Sequence, residues 1–166
     1  MGRREHMELA PSPEERAREI CLTALERRMC SRHELERILA RKGVRPEVAA
    51  SVLDRLTRVG LVDDAAFARA FVASRQRTRP RGRMGLVAEL RKRGIDGGTI
   101  DAVLDERNAS EDPVEAARRA VASKLRSLAG RPPQEIRRKA EQFLLRRGFG
   151  FETAREALRD LPADDL

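Results

Sequence analysis

Three times along the chain a leucine is followed four residues later by a glycine, and a second leucine lies ten residues past that glycine. The triplets are Leu39, Gly43, Leu53, then Leu90, Gly94, Leu104, then Leu144, Gly148, Leu158. A large apolar residue follows each glycine (Val44, Ile95, Phe149), and two basic residues precede it: Arg41 and Lys42, Lys92 and Arg93, Arg146 and Arg147. The pattern predicts a helix whose cationic last turn suits the negative end of its dipole, a glycine in the left-handed cap, and a second amphipathic helix. A period of this kind restricts the chain to an all-α fold, an elongated tandem array of three three-helix repeats with about nine helices. Function should then come from an extended surface, not a pocket.

The core must be aliphatic. Five Phe and no Trp or Tyr are spread over 166 residues, so each repeat buries Leu, Ile, Val and Ala and leans on its neighbours for stability. No apolar run reaches the roughly 18 residues needed to span a bilayer, and no charged-then-apolar leader opens the chain. The expectation is a soluble, cytoplasmic protein. Cys21 and Cys30, the only cysteines, suit a reducing compartment, and their spacing with His33 does not match a structural zinc site. No metal and no cofactor are expected.

Helix signals divide the chain into a disordered leader over 1–11, repeats over 12–60, 61–109 and 110–162, and a tail over 163–166. Ser12, Pro13 and Glu15 form a capping-box start with proline at the first helical position, followed by an apolar stripe of Ile20, Ala24 and Leu25. Ser31 and Glu34 repeat the signal ahead of Leu35, Ile38 and Leu39, and Pro46 opens a third helix carrying Val48, Val52, Leu53, Leu56 and Val59, stopped by Gly60. In the second repeat Asp63 can cap a helix presenting Phe67, Ala70, Phe71 and Ser74 on one face. The chain breaks at Pro80 and Gly82, resumes through Leu86 and Leu90, and starts again near Asp96, where Gly97 and Gly98 weaken the helix start. The polar stretch from Asn108 to Asp112 is a candidate flexible connection. Asp112, Pro113 and Glu115 begin the third repeat, whose inward residues are Val114, Ala117, Val121, Leu125, Leu128, Ile136, Ala140, Phe143, Leu144, Phe151, Ala154 and Leu158.

Catalytic constellations are absent. A nucleophile elbow, a phosphate-cradling glycine loop or a metalloprotease helix would each need a glycine or histidine pattern that the chain lacks, and its only histidines are His6, in the leader, and His33. Asp63 and Asp64 read as helix-start acids, not paired metal ligands. The chain is not expected to be an enzyme.

Charge placement says more than charge size. Residues 75–93 hold Arg75, Arg77, Arg79, Arg81, Arg83, Arg91, Lys92 and Arg93 against one acid, Glu89, a net of plus seven within a chain of net plus eight. One segment thus supplies nearly all the excess positive field, which implies a polyanion or an acidic partner surface. The chain uses 31 Arg and four Lys throughout, so the clustering carries the information and the individual arginines do not.

The run from Gly60 to Arg75, reading Gly-Leu-Val-Asp-Asp-Ala-Ala-Phe-Ala-Arg-Ala-Phe-Val-Ala-Ser-Arg, resembles the signature of the RecX family, bacterial regulators of the RecA recombinase. The segment Ser31–Leu56, the basic turn through Leu90–Ile95 and the stretch Phe143–Phe149 are similar to the family in the same order, so the likeness spans about Ala17 to Leu161. The resemblance implies a tandem three-helix-repeat protein that engages the groove of the RecA filament on single-stranded DNA. There it would restrain ATP hydrolysis, strand exchange and co-protease activity, by bridging or blocking filament subunits or limiting filament extension, with roles in DNA recombination, repair and the SOS response. The implied partner is the RecA filament, with direct contact to single-stranded or duplex DNA open beside it, no membrane, and a monomeric chain.

The eight cations of residues 75–93 are the expected electrostatic contact. Asp63, Phe67, Phe71 and Ser74 are explained by capping and core packing. Two other readings stand beside the regulator: a stand-alone helix-turn-helix DNA-binding protein and a structural helical adaptor. Against the former, the basic cluster straddles a Pro/Gly break instead of occupying one recognition helix, and no set of base-reading side chains is evident.

Overall fold

The structure is a computed structural model that describes residues 10–161. The expected leader, with His6, and the expected tail lie outside these residues, apart from Ala10 and Pro11. Among the described residues there are nine α-helices and no strand: α1 (Pro13–Arg27), α2 (Arg32–Arg41), α3 (Pro46–Arg58), α4 (Asp64–Thr78), α5 (Arg83–Lys92), α6 (Gly97–Ser110), α7 (Pro113–Ser127), α8 (Pro133–Arg146) and α9 (Phe151–Ala157).

Local chemistry accounts for the ends. The Ser12 hydroxyl accepts from the Glu15 N–H at 3.2 Å while the Glu15 carboxylate accepts from the Ser12 N–H at 2.7 Å, a reciprocal box that satisfies two otherwise orphan donors. Asp96 overcomes the two glycines that follow it. Its carboxylate accepts from the Thr99 N–H at 3.0 Å and the Thr99 hydroxyl at 2.6 Å, holding the first turn of α6 from outside. These bonds, the Thr99 hydroxyl first, keep the Asp96 carboxyl below its usual pKa.

Each leucine–glycine triplet closes the same corner. The N–H of Val44, Ile95 and Phe149 donates to the carbonyl of Leu39, Leu90 and Leu144 at 3.1, 3.2 and 3.1 Å. The N–H of the preceding glycine reaches the carbonyl three residues back, completing a Schellman motif. The glycines sit at φ of 74°, 76° and 80°. All six leucines of the triplets are at most 1 % exposed, each contributing roughly 2 kcal/mol relative to an exposed side chain.

Two compact units divide the chain, one ending at Asp63 and the other beginning at Asp64. The first packs α1, α2 and α3 mutually around Ala17, Cys21, Leu35, Leu39, Val52 and Leu53. Its innermost α1 residues are Ala17 and Cys21. Ile20, Ala24 and Leu25, expected to form that stripe, pack on the cluster only in part, as does Ile38 of α2. Burial, and then the nearby Cys30, push the Cys21 thiol up to about 11.

The second unit holds two cores. Phe67, Ala68, Val72, Leu86, Leu90, Ile100, Val103 and Leu104 form one, drawn from α4 to α6. The other is alanine-rich, with Ala116, Ala117, Ala140 and Ala154 around Val121, Leu144, Phe149 and Leu158. On α4 the buried face is Phe67, Ala68 and Val72, not the expected Phe67–Ala70–Phe71–Ser74 line, since Ala70 and Ser74 are exposed and Phe71 is half-buried. Phe151 likewise stands 53 % exposed instead of finishing the third core, and Val59, expected on the α3 stripe, is the exposed C-cap of that helix, past its last buried turn.

Backbone contact joins these two three-helix groups. The N–H of Gly82 donates to Arg147 O at 3.1 Å and that of Met84 to Gly148 O at 3.2 Å. The polar stretch at 108–112 is not a free connection: Asn108 to Ser110 complete α6, and the Glu111 carboxylate is gripped by Arg107 at 3.0 Å and by Arg119.

Candidate partner-binding surface

The eight cations of residues 75–93 divide into two classes. Arg75, Arg81, Arg83 and Arg93 are half-buried, and Arg77, Arg79, Arg91 and Lys92 are exposed. The half-buried ones have internal work. Arg75 Nε donates to Glu89 Oε2 at 2.7 Å, and Arg81 Nε lies 2.9 Å from Glu89 Oε1, a charge contact without hydrogen-bond alignment. The single acid of the segment is therefore shared by two of its arginines and ties the end of α4 to α5. Arg83 forks onto α6, with Nη1 at 2.8 Å from Asp105 and Nη2 at 3.0 Å from Asp101. Arg93 lies over the Phe71 ring at 4.8 Å from its centroid, and Arg75 covers the same ring at 4.8 Å. Phe71, stacked on Phe67 at 6.3 Å between centroids, is thus a platform that orients two guanidinium groups.

Among the described residues, no carboxylate lies within ion-pair distance of Arg77, Arg79, Arg91 or Lys92. Arg77 and Arg79 project from the end of α4 and the start of the following turn, Arg91 and Lys92 from the last turn of α5. Their exposure leaves the charges free for a partner, although water and salt screen each of them.

A cation that sequence reasoning treated only as a helix ending joins this field. Arg79, Thr78, Ser123, Lys124, Phe143 and Arg147 line an open cleft of about 380 Å³ formed by the end of α4 with α7 and α8. Arg147 lies over Phe143 at 4.8 Å. Burial, then the like charges of Arg81 and Arg79, push the Arg147 guanidinium below its ordinary value, with Glu89 opposing. Crowded like charge of this kind marks a place where an anion would be welcomed. Arg147 carried a signal, as the residue before the third repeat glycine; Lys124 carried none, because only the packing of α7 brings it to this cleft.

The arrangement offers electrostatic recognition. Among the described residues no group of His, Cys, Asp or Glu is placed to hold a metal ion, and no helix is long and apolar enough to cross a membrane.

Three family descriptions match in tandem: RecX, first three-helix domain over residues 17–56, second three-helix domain over 63–104, and third three-helix domain over 110–158. The regulatory protein RecX of Thermobifida fusca is 39 % identical over 145 residues, which cover 87 % of this chain and 78 % of that protein. The RecX of Mycobacterium avium is 38 % identical over 93 % of this chain and 90 % of its own, and that of Streptomyces coelicolor 34 % identical over 95 % and 84 %. The fold is that of the crystal structures of a regulatory protein RecX and of RecX from Lactobacillus salivarius, each at a TM-score of 0.79, with 23 % and 19 % identity. They cover 89 % and 90 % of this chain, and the chain covers 73 % and 96 % of theirs. Three matched domains in family order, with long relatives at more than a third identity, establish that the chain belongs to the RecX family of non-enzymatic regulatory proteins, the regulators of the RecA recombinase.

Proposed function

We propose that this regulator acts in the cytoplasm by seating on the RecA filament assembled on single-stranded DNA, and that Arg77, Arg79, Arg91 and Lys92 make its main electrostatic contact there. The result is restraint of ATP hydrolysis, strand exchange and co-protease activity. The observation carrying this reading is the split within the basic segment: four of its eight cations are exposed and without an ion pair among the described residues. Arg75, Arg81, Arg83 and Arg93 serve the contact indirectly, by holding the two helix ends that present the other four. Three-helix repeats over 12–60, 61–109 and 110–162 are the units of a monomer that contacts several positions along a repeating partner.

The test is the ATPase rate of RecA on single-stranded DNA, titrated with this protein well below one molecule per RecA. Inhibition undiminished by extra bare DNA is the expected result, and joint replacement of Arg77, Arg79, Arg91 and Lys92 by Ala should raise the half-inhibitory concentration about tenfold or more and flatten its salt dependence. Inhibition abolished by competing DNA would favour a stand-alone DNA-binding protein. Unchanged inhibition by the four-fold variant would remove the segment from the contact.

A further inference from the structure

The first three-helix unit carries a groove that the basic segment does not involve. Arg16, Ile20, Ala24 and Arg27 follow one face of α1, Ile38 of α2 and Lys42 at its C-cap stand opposite, and the space between is about 720 Å³. Helical periodicity would send Ile20, Ala24 and Ile38 into the core. Ala17, Cys21, Leu35 and Leu39 fill the interior at zero exposure instead, and the three displaced aliphatic side chains are left half-exposed as the groove floor.

The rim is cationic. Among the described residues no carboxylate lies within ion-pair distance of Arg16, Arg27 or Lys42, all exposed, while Arg28 is committed to Glu34 at 2.6 Å and Glu19 is the one acid on the lining. An aliphatic floor between cations is the complement of a helix whose apolar stripe is flanked by carboxylates. We propose that this groove receives an acidic amphipathic helix of a partner protein, two or three apolar side chains of which cover Ile20, Ala24 and Ile38 while its Asp and Glu residues reach Arg16, Arg27 and Lys42. Nucleic acid fits the same charge but not the floor: the lining holds no aromatic ring on which a base could stack, and phosphates would desolvate against aliphatic carbon without return.

The experiment is fluorescence anisotropy with the full-length chain and three labelled probes. These are a helix-forming peptide with leucines on one face and glutamates beside them, a scrambled peptide of identical composition, and an oligo-dT of similar charge. The patterned peptide should bind about tenfold tighter than either control. Arg16→Glu with Arg27→Glu should weaken it by a further factor of about ten, and Ile38→Ser several-fold, whereas Arg77→Ala with Arg79→Ala should leave it unchanged. Helical circular dichroism of each variant guards against misfolding, and the two charge reversals lie on exposed positions that the core does not use. Equal binding of the scrambled peptide or the oligonucleotide, no binding of the patterned peptide, or indifference to the charge reversals would overturn the proposal. None of these outcomes depends on RecA, so the groove and the basic segment stand or fall separately.

Discussion

The corner joining α2 to α3 and the corner joining α8 to α9 are written in the same letters and closed by the same hydrogen bonds, yet their glycines do different work. At Gly43 a Cβ would meet nothing within 4 Å, so φ of 74° is the whole demand on that residue. At Gly148, φ of 80° comes with Gly85 N only 2.1 Å from where a Cβ would stand, and Gly82 and Gly85 face Gly148 and Arg147 backbone at 2.2 and 2.5 Å in the same sense. One corner is a turn. The other is a turn and a seam, where three glycines let two three-helix groups approach backbone to backbone and exchange the Gly82 and Met84 hydrogen bonds.

The comparison can be broken in order of expected cost. Gly148→Ala adds left-handed strain to a backbone collision and forfeits the seam, so a loss above about 3 kcal/mol is expected in urea unfolding followed by circular dichroism. Gly82→Ala tests space alone, since Gly82 has an ordinary φ of −73°. Its added methyl meets backbone that cannot rotate away, and about 2–3 kcal/mol should be lost. Gly43→Ala tests conformation alone, at about 1 kcal/mol. Equal losses at Gly43 and Gly148 would mean that the seam contributes nothing.

A smaller effect comes from the charge clasp joining the same two groups. Burial works against the charged form of Glu111, but hydrogen bonds from Arg119 and Arg107 outweigh it and hold its carboxyl below the usual glutamate range. A carboxyl lowered on folding stabilises the protein above its unfolded pKa of about 4.3, and that contribution is lost as pH falls through the folded value. Glu111→Gln should therefore cost up to about 1 kcal/mol at pH 7, with the difference from wild type shrinking below about pH 4. A gap constant across that range would show that the ion pairs are not its source.

The basic segment shows how far the chain could be read. Its eight cations were visible as a cluster, but their division was not, because the carboxylates that claim Arg83 come from Asp101 and Asp105 on another helix. Those two acids stand four residues apart on one face of α6, a spacing that hints at a cationic partner without naming it. Phe71 looked like core and proved to be a guanidinium platform, since Ala68 and Val72 take the inner face of α4. In the first unit the small side chains Ala17 and Cys21 displaced the larger Ile20 from the deepest position on α1, a choice made by the approach of α2 and α3, not by α1.

What the sequence determined by itself is everything closed within one turn of backbone: the Ser12 and Asp96 caps, the three glycine corners, the helix count and the six buried triplet leucines. These rest on hydrogen bonds and apolar periodicity between residues a few positions apart, so the letters carry them directly. Tertiary structure alone decided which arginines remain exposed, which aliphatic face lines a groove, and why Gly148 has no room for a side chain when Gly43 does. Each of those depends on an atom supplied by a distant helix, and no local pattern records what will be packed against it.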